Sequence, residues 1–260
     1  MHLFTGVGVA LITLLDTDGG VDTTATAEFA GELAGRRVRS VLVCGTTGEA
    51  ATLTDAERVG LVAAVRAAVP SAIPVIAGTG AATAERAAEL SAAAAAAGAD
   101  AVLAWPPPGS RDLPGYFGAV AAAADGRAVL AYHIPWISAP GIPVSELAGL
   151  PVAGQKDSSG DPDRLLAEIT GYQGATYVGS SALLALAGPL GATGAILAVA
   201  NVEPELCCQA FTGDAAAQRA LADVHLAARE GGPPALKRIL AQRRNTVALS
   251  RTAAGTSSRP

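Results

Sequence analysis

Charge is scarce in this chain. Only 16% of its 260 residues are charged, and the formal net charge is −5. Few cations and an acidic balance leave no electrostatic footprint for nucleic acid or an anionic membrane surface. Cysteine is sparse as well. Cys44, Cys207 and Cys208 make no C-x-x-C pair and no metal-ligand spacing. Neither a disulfide framework nor a cysteine-held metal is expected, and an odd, low count suits a reducing cytoplasm. Residues 1–8 lack a basic stretch leading into a long apolar run, so the pattern of a secretory signal is missing. One charge-free stretch, residues 169–202, invites a membrane reading. It is punctuated by Gly171, Gly174, Gly179, Gly188 and Gly191, whereas a spanning helix needs about 20 consecutive, strongly apolar residues. Strand, short helix and strand inside a core fit it better. Nucleotide signatures are missing too. Gly78-Thr79-Gly80 has Thr83 where G-x-G-x-x-G needs its third glycine, and there is no G-x-x-x-x-G-K-[ST].

Half of the residues are apolar, enough for one large core without a disulfide or metal. Short β-rich runs at 7–13, 40–44, 73–77, 101–105, 128–133, 152–156, 175–179 and 194–199 alternate with longer Ala/Leu/Glu/Arg segments. The runs lack period-2 alternation, as parallel strands covered on both faces should. Helix starts are marked by the capping box Thr54…Glu57, by Thr83, and by Asp161-Pro162. Gly98 stands where a C-terminal glycine belongs. Eight βα units predict a closed (β/α)8 TIM barrel over 1–213, with C-terminal helices over 214–245 and a flexible tail over 246–260. Helices are predicted at 204–211, 215–229 and 234–243. The late basic residues Lys237, Arg238, Arg243, Arg244, Arg251 and Arg259 read as a solvated helix face plus a loose tail, with a basic interaction tail as the alternative.

In such a barrel, reactive groups sit at the C-terminal ends of the strands. Three places qualify. Lys156 closes the sixth apolar run, and a lysine buried there is either a nucleophile toward carbonyls or a rim residue paired with Asp157 or Asp161. Tyr132 closes the fifth run, as a proton-transferring phenol or an aromatic lid on the core; His133 should face the helices. Gly45-Thr46-Thr47-Gly48-Glu49 follows the second run, as a cradle for a carboxylate or an ordinary turn.

At these residues the chain resembles the dihydrodipicolinate synthase / N-acetylneuraminate lyase family of pyruvate-dependent class I aldolases. The resemblance rests on Cys44-Gly45-Thr46-Thr47-Gly48-Glu49-Ala50, Val75-Ile76-Ala77-Gly78-Thr79-Gly80, Tyr132-His133-Ile134-Pro135, Lys156-Asp157-Ser158-Ser159-Gly160-Asp161 and Gly191-Ala192-Thr193-Gly194-Ala195-Ile196, with Asn201 beyond. It implies that Lys156 forms a Schiff base with pyruvate or a related 2-oxo acid. It also makes Tyr132 and Thr46 catalytic, and lets Gly45, Thr46, Thr47, Ser158, Gly179, Ser180 and Ile196 bind substrate. No metal or organic cofactor is required. An aldehyde is the second partner, and the assembly is a homotetramer or, given the short C-terminus, a homodimer.

Two departures bear on the substrate. The synthase's relay tyrosine is replaced by Pro108, and the arginine that holds its aldehyde's carboxylate is replaced by Ile137. An alkyl side chain supplies no bidentate clamp. The resemblance therefore points to aldol addition or cleavage of a 2-keto-3-deoxy or hydroxy-oxo acid, with Trp105 and Trp136 lining an apolar acceptor pocket or Arg111 supplying the lost cation. The alternatives are 4-hydroxy-tetrahydrodipicolinate synthase, a 2-keto-3-deoxy acid dehydratase, and a silent 2-oxo-acid-binding barrel.

Overall fold

The computed structural model describes residues 2–244 and 248–252. Eight parallel strands close in sequence order: β1 Gly6–Ala10, β2 Val41–Val43, β3 Val75–Gly78, β4 Ala101–Ala104, β5 Ala128–His133, β6 Gly154–Asp157, β7 Ala175–Val178 and β8 Gly194–Leu197. β8 returns to β1 in the register Gly6↔Gly194, which closes the ring. Around it lie α1 Thr23–Ala34, α2 Asp55–Ala68, α3 Ala84–Ala96, α4 Leu113–Ala123, α5 Pro162–Gly171, α6 Leu184–Ala187 and α7 Pro204–Phe211. α8 Ala215–Ala220 and α9 Ala222–Arg244 complete the chain's helices as described. The charge-free stretch becomes the end of α5, then β7, α6 and β8, and no described helix is long and apolar enough to cross a membrane.

The strands are buried on both faces, so two cores form. Leu42, Ile76, Leu103, Leu130, Tyr177 and Ile196 fill the barrel interior. A larger layer, with Val9, Val41, Val102 and Leu197 against Phe29, Leu61 and Phe117, glues strands to helices. Phe4 stacks on Tyr177 at 4.5 Å and accepts its hydroxyl at 3.0 Å, packing the barrel beneath the site. The helix starts follow the sequence: Thr54 and Glu57 bond reciprocally, Thr83 accepts from Arg86 N, and Asp161 accepts from Asp163 N and Arg164 N.

β1 ends earlier than its apolar run. Asn201 draws the chain out of the sheet, accepting from Ile12 N at 3.0 Å and donating to Ala10 O at 2.7 Å. The predicted helix 215–229 divides at Leu221, and α9 bends sharply at Gly232 (φ 56°, ψ −149°), where Gly-Gly-Pro-Pro cannot continue a helix. The basic face also needs correction. Lys237 is buried and ion-paired with Glu49. Within residues 248–252 of the tail, Thr252 N donates to Glu49 at 2.6 Å, and Arg251 pairs with Glu57 at 2.8 Å. The rest of that tail and Arg259 lie outside the described residues.

Candidate active site

Side chains alternate along a strand, so even-numbered residues at the ends of β5 and β6 face the barrel axis. Tyr132 and Lys156 are register partners there, 6% and 4% exposed, and Lys156 Nζ lies 4.5 Å from the centre of the Tyr132 ring. Their odd-numbered neighbours face the helices. Asp157 accepts the Ser159 N–H at 2.7 Å and hydroxyl at 2.8 Å, with Arg164 Nε 3.8 Å away. Asp161 is occupied as the α5 cap. Neither acid pairs with Lys156, nor does any other carboxylate among the described residues. The rim-pairing alternative for this lysine is thereby excluded.

The lysine's path depends on one glycine. A Cβ at Gly179 would stand 3.0 Å from Lys156 Cε and overlap the Ser158 hydroxyl. That hydroxyl donates to the Tyr132 oxygen at 3.2 Å, linking lysine strand and phenol.

The third component is the turn after β2. The backbone is left-handed at Cys44 (φ 55°) and at Glu49 (φ 57°), flanking a single 3-10 turn, Thr46–Gly48. Non-glycine residues adopt this conformation only under constraint. Here Thr13 Oγ1 donates to Gly48 O at 2.7 Å, and Arg58 donates to Ala50 O and, at 3.4 Å, to Gly78 O. Glu49 anchors the other side through Lys237, Ser250 Oγ (2.5 Å) and Thr252 N. Burial pulls the Glu49 carboxyl up, but these donors together hold it below its ordinary range. The N–H groups of Thr46 and Thr47 open the turn and donate to no backbone carbonyl among the described residues. Burial pushes the Cys44 thiol up to about 12, so it does not compete as a nucleophile.

A cavity of about 450 Å³ brings together Thr46, Thr47, Tyr132, Lys156, Ser158 and Gly179, with Ser180 and Ile196 also in its wall. Gly45 lines instead a neighbouring cavity of about 590 Å³, which shares Thr46, Tyr132 and Trp136 with the first. Trp105 and Ile137 line that second cavity; Arg111 and Pro108 line neither. His133 faces outward as expected, where its Nδ1 accepts from Ile142 N at 2.9 Å and burial lowers it to about 4. Sequence reasoning missed the roof. Ala228, Arg229, Gly232, Pro233 and Leu236 of α9 cover the lysine cavity. The Gly-Gly-Pro-Pro break was legible, but not where it lands.

Comparison with known proteins agrees with this geometry. The profile of the dihydrodipicolinate synthetase family matches residues 3–230. A 4-hydroxy-tetrahydrodipicolinate synthase of Corynebacterium aurimucosum is 33% identical over 240 residues, covering 88% of this chain and 73% of the relative. A DapA-like lyase of Chloroflexus aurantiacus is 36% identical over 259 residues, covering 90% and 85%. The crystal structure of the dihydrodipicolinate synthase from Acinetobacter baumannii complexed with pyruvate superposes with a TM-score of 0.86 at 27% identity, over 98% of this chain and 94% of that one. The chain belongs to the dihydrodipicolinate synthetase family, a family of carbon–carbon lyases of the class I aldolase type.

Proposed function

We propose that Lys156 forms a Schiff base with the C2 carbonyl of pyruvate or a related 2-oxo acid, and that the protein makes or breaks the C3–C4 bond of a 4-hydroxy-2-oxo acid. The observation that carries this is the Lys156 amine, buried in a roofed cavity, over Tyr132 and with no carboxylate among the described residues to hold it as a salt bridge. The free N–H groups and hydroxyls of Thr46 and Thr47 bind the substrate carboxylate in the same cavity. The neutral amine attacks C2, water leaves, and the iminium draws electrons from C3. Tyr132, having given its proton to the departing water, takes a C3 proton, and the resulting enamine attacks an aldehyde through C3. Tyr132 delivers the proton that the new C4 oxygen needs, with Ser158 holding the phenol. Cleavage runs through the same states in reverse. Neither a metal nor an organic cofactor is needed for these steps, and the assembly is a homotetramer or homodimer in the cytoplasm.

The relatives' names favour a second reading, synthase activity on a semialdehyde that carries a carboxylate. Ile137 opposes it, because it lines the wall of the adjoining cavity as an alkyl group.

Borohydride reduction with pyruvate, followed by peptide mass mapping, tests the proposal. A reduced adduct on Lys156, absent in Lys156→Ala, is the expected result. An adduct on another lysine would overturn it, as would folded protein with no adduct to pyruvate or to longer 2-oxo acids.

A further inference from the structure

The second cavity adjoins the lysine cavity and shares Tyr132, Trp136 and Thr46 with it, and its character is set by what its polar residues are already doing. Three charged side chains in its wall are engaged. Arg58 donates to two backbone carbonyls, Arg86 is paired with Asp55 and Glu89, and Glu49 is paired with Lys237. None is left to clamp an anion. The wall also holds Trp105, Trp136, Ile137, Leu103 and Ala81, and its other polar side chains besides Tyr132 are the small hydroxyls of Thr46, Thr52 and Thr252. Trp105 is held in place. Its indole lies flat on Gly80, where a Cβ would overlap the ring. The Tyr116 hydroxyl donates to Trp105 O at 2.6 Å and accepts from Ala81 N at 3.4 Å, tying β4's end to the loop after β3. A mostly apolar, aromatic-walled chamber with few free polar groups is what an apolar ring requires.

We infer that this chamber receives the acceptor aldehyde, and that the acceptor carries an aromatic ring. The inference rests on the Schiff-base reading above and names its second substrate. In the forward direction the enamine C3 bonds to the aldehyde carbon while the carbonyl pair moves to oxygen. That oxygen takes a proton from Tyr132, the enamine becomes an iminium, and water releases Lys156 and a 4-aryl-4-hydroxy-2-oxo acid. The ring stays in the chamber that both indoles line. A hydroxylated, anionic aldehyde would turn the other way, toward Ser158, Ser180 and the exposed Arg229 at the lysine cavity.

The chain contains only two tryptophans, and both line this chamber, so tryptophan emission reads its occupancy without any catalysis. Benzyl alcohol, an unreactive mimic, should change the emission saturably, and glycerol should not. With pyruvate present, benzaldehyde should be used at least about tenfold better in kcat/KM than glyceraldehyde, glyceraldehyde 3-phosphate or aspartate semialdehyde, the equivalent of ~1.4 kcal/mol. Trp105→Ala should raise KM for benzaldehyde about tenfold, again ~1.4 kcal/mol, while pyruvate is still trapped on Lys156. If that variant fails to fold, Ile137→Arg serves, and should move preference toward aspartate semialdehyde. An unchanged emission with benzyl alcohol would overturn the inference. So would a preference for a polar aldehyde, or an equal loss for all aldehydes in Trp105→Ala. Saturable emission without any trapped pyruvate would uphold the chamber and defeat the chemistry assigned to Lys156 instead.

Discussion

Behind the strands that carry Tyr132 and Lys156, two buried groups titrate in opposition. Burial, then the neighbouring Asp157, raises the Glu168 carboxyl from 4.5 to about 7, against the pull of Arg164 at 2.7 Å. Burial, then the charge of Arg164, lowers His133 from 6.5 to about 4. Between pH 4.5 and 7 the folded state holds a proton on Glu168 that the unfolded chain has released. This group's contribution to stability is therefore full below 4.5 and lost as pH rises to 7. Between pH 4 and 6.5 the unfolded chain protonates His133's imidazole and the folded state does not. That contribution is full above 6.5 and lost as pH falls to 4. Each slope is about 1.4 kcal/mol per pH unit, so from 5 to 6.5 they cancel to a first approximation. His133→Gln keeps an acceptor for Ile142 N but removes the rising limb. It should lose roughly 2 kcal/mol between pH 5 and 6.5, several degrees in Tm for a domain of this size. Glu168→Gln should gain a similar amount over the same interval, while the parent stays level. Thermal unfolding of the three proteins at fixed ionic strength reads this as three slopes. Parallel slopes in parent and variants would refute the argument, whatever the variants' absolute stability.

The elements whose cause is local were legible in the sequence. Parallel strands buried on both faces must read as unbroken apolar runs, and a lysine and a tyrosine closing two successive runs stand out for that reason. Thr54…Glu57 and Asp161-Pro162 mark helix starts because a cap is satisfied within three or four residues. What stayed hidden depends on contacts distant in sequence. Lys237 reads as one more solvated cation, because its partner Glu49 lies 188 residues away. The apolar run at Val7 overshoots β1, because Asn201, just past the neighbouring β8 but 189 residues away in sequence, takes the Ile12 N–H. Gly179 and Gly80 look like turn glycines, yet each is fixed by a side chain crossing where a Cβ would be. Arg111, the alternative to the tryptophans as the acceptor's contact, is exposed and lines neither cavity, which leaves the second one to Trp105 and Trp136.

Gly179→Ala should leave the barrel folded while suppressing borohydride trapping, because the new methyl would displace both Lys156 Cε and the Ser158 hydroxyl; trapping at the parental rate would show that the lysine has another path. Lys237→Met tests how the roof is coupled to the carboxylate turn. Both partners of the Glu49–Lys237 pair are nearly inaccessible, at 2% and 3% side-chain exposure, so removing the cation strands a buried carboxylate. Losing one member of such a pair costs about 3–5 kcal/mol, whereas replacing both with apolar groups is close to neutral. Glu49→Leu with Lys237→Met should therefore recover most of the stability that the single variant loses. Function should divide differently. Glu49 is the left-handed residue that ends the Thr46–Gly48 turn, so a stranded Glu49 loosens the proposed carboxylate cradle and leaves Lys156 in place. KM for pyruvate should rise in Lys237→Met, with trapping at saturating pyruvate retained. The double variant should regain stability without regaining the parental KM, because its turn has lost the hydrogen bonds from Ser250 and Thr252 as well. If stability and KM recovered together, the pair would be acting only as packing, and the cradle would owe its shape to Thr13 and Arg58 on the other side of the turn.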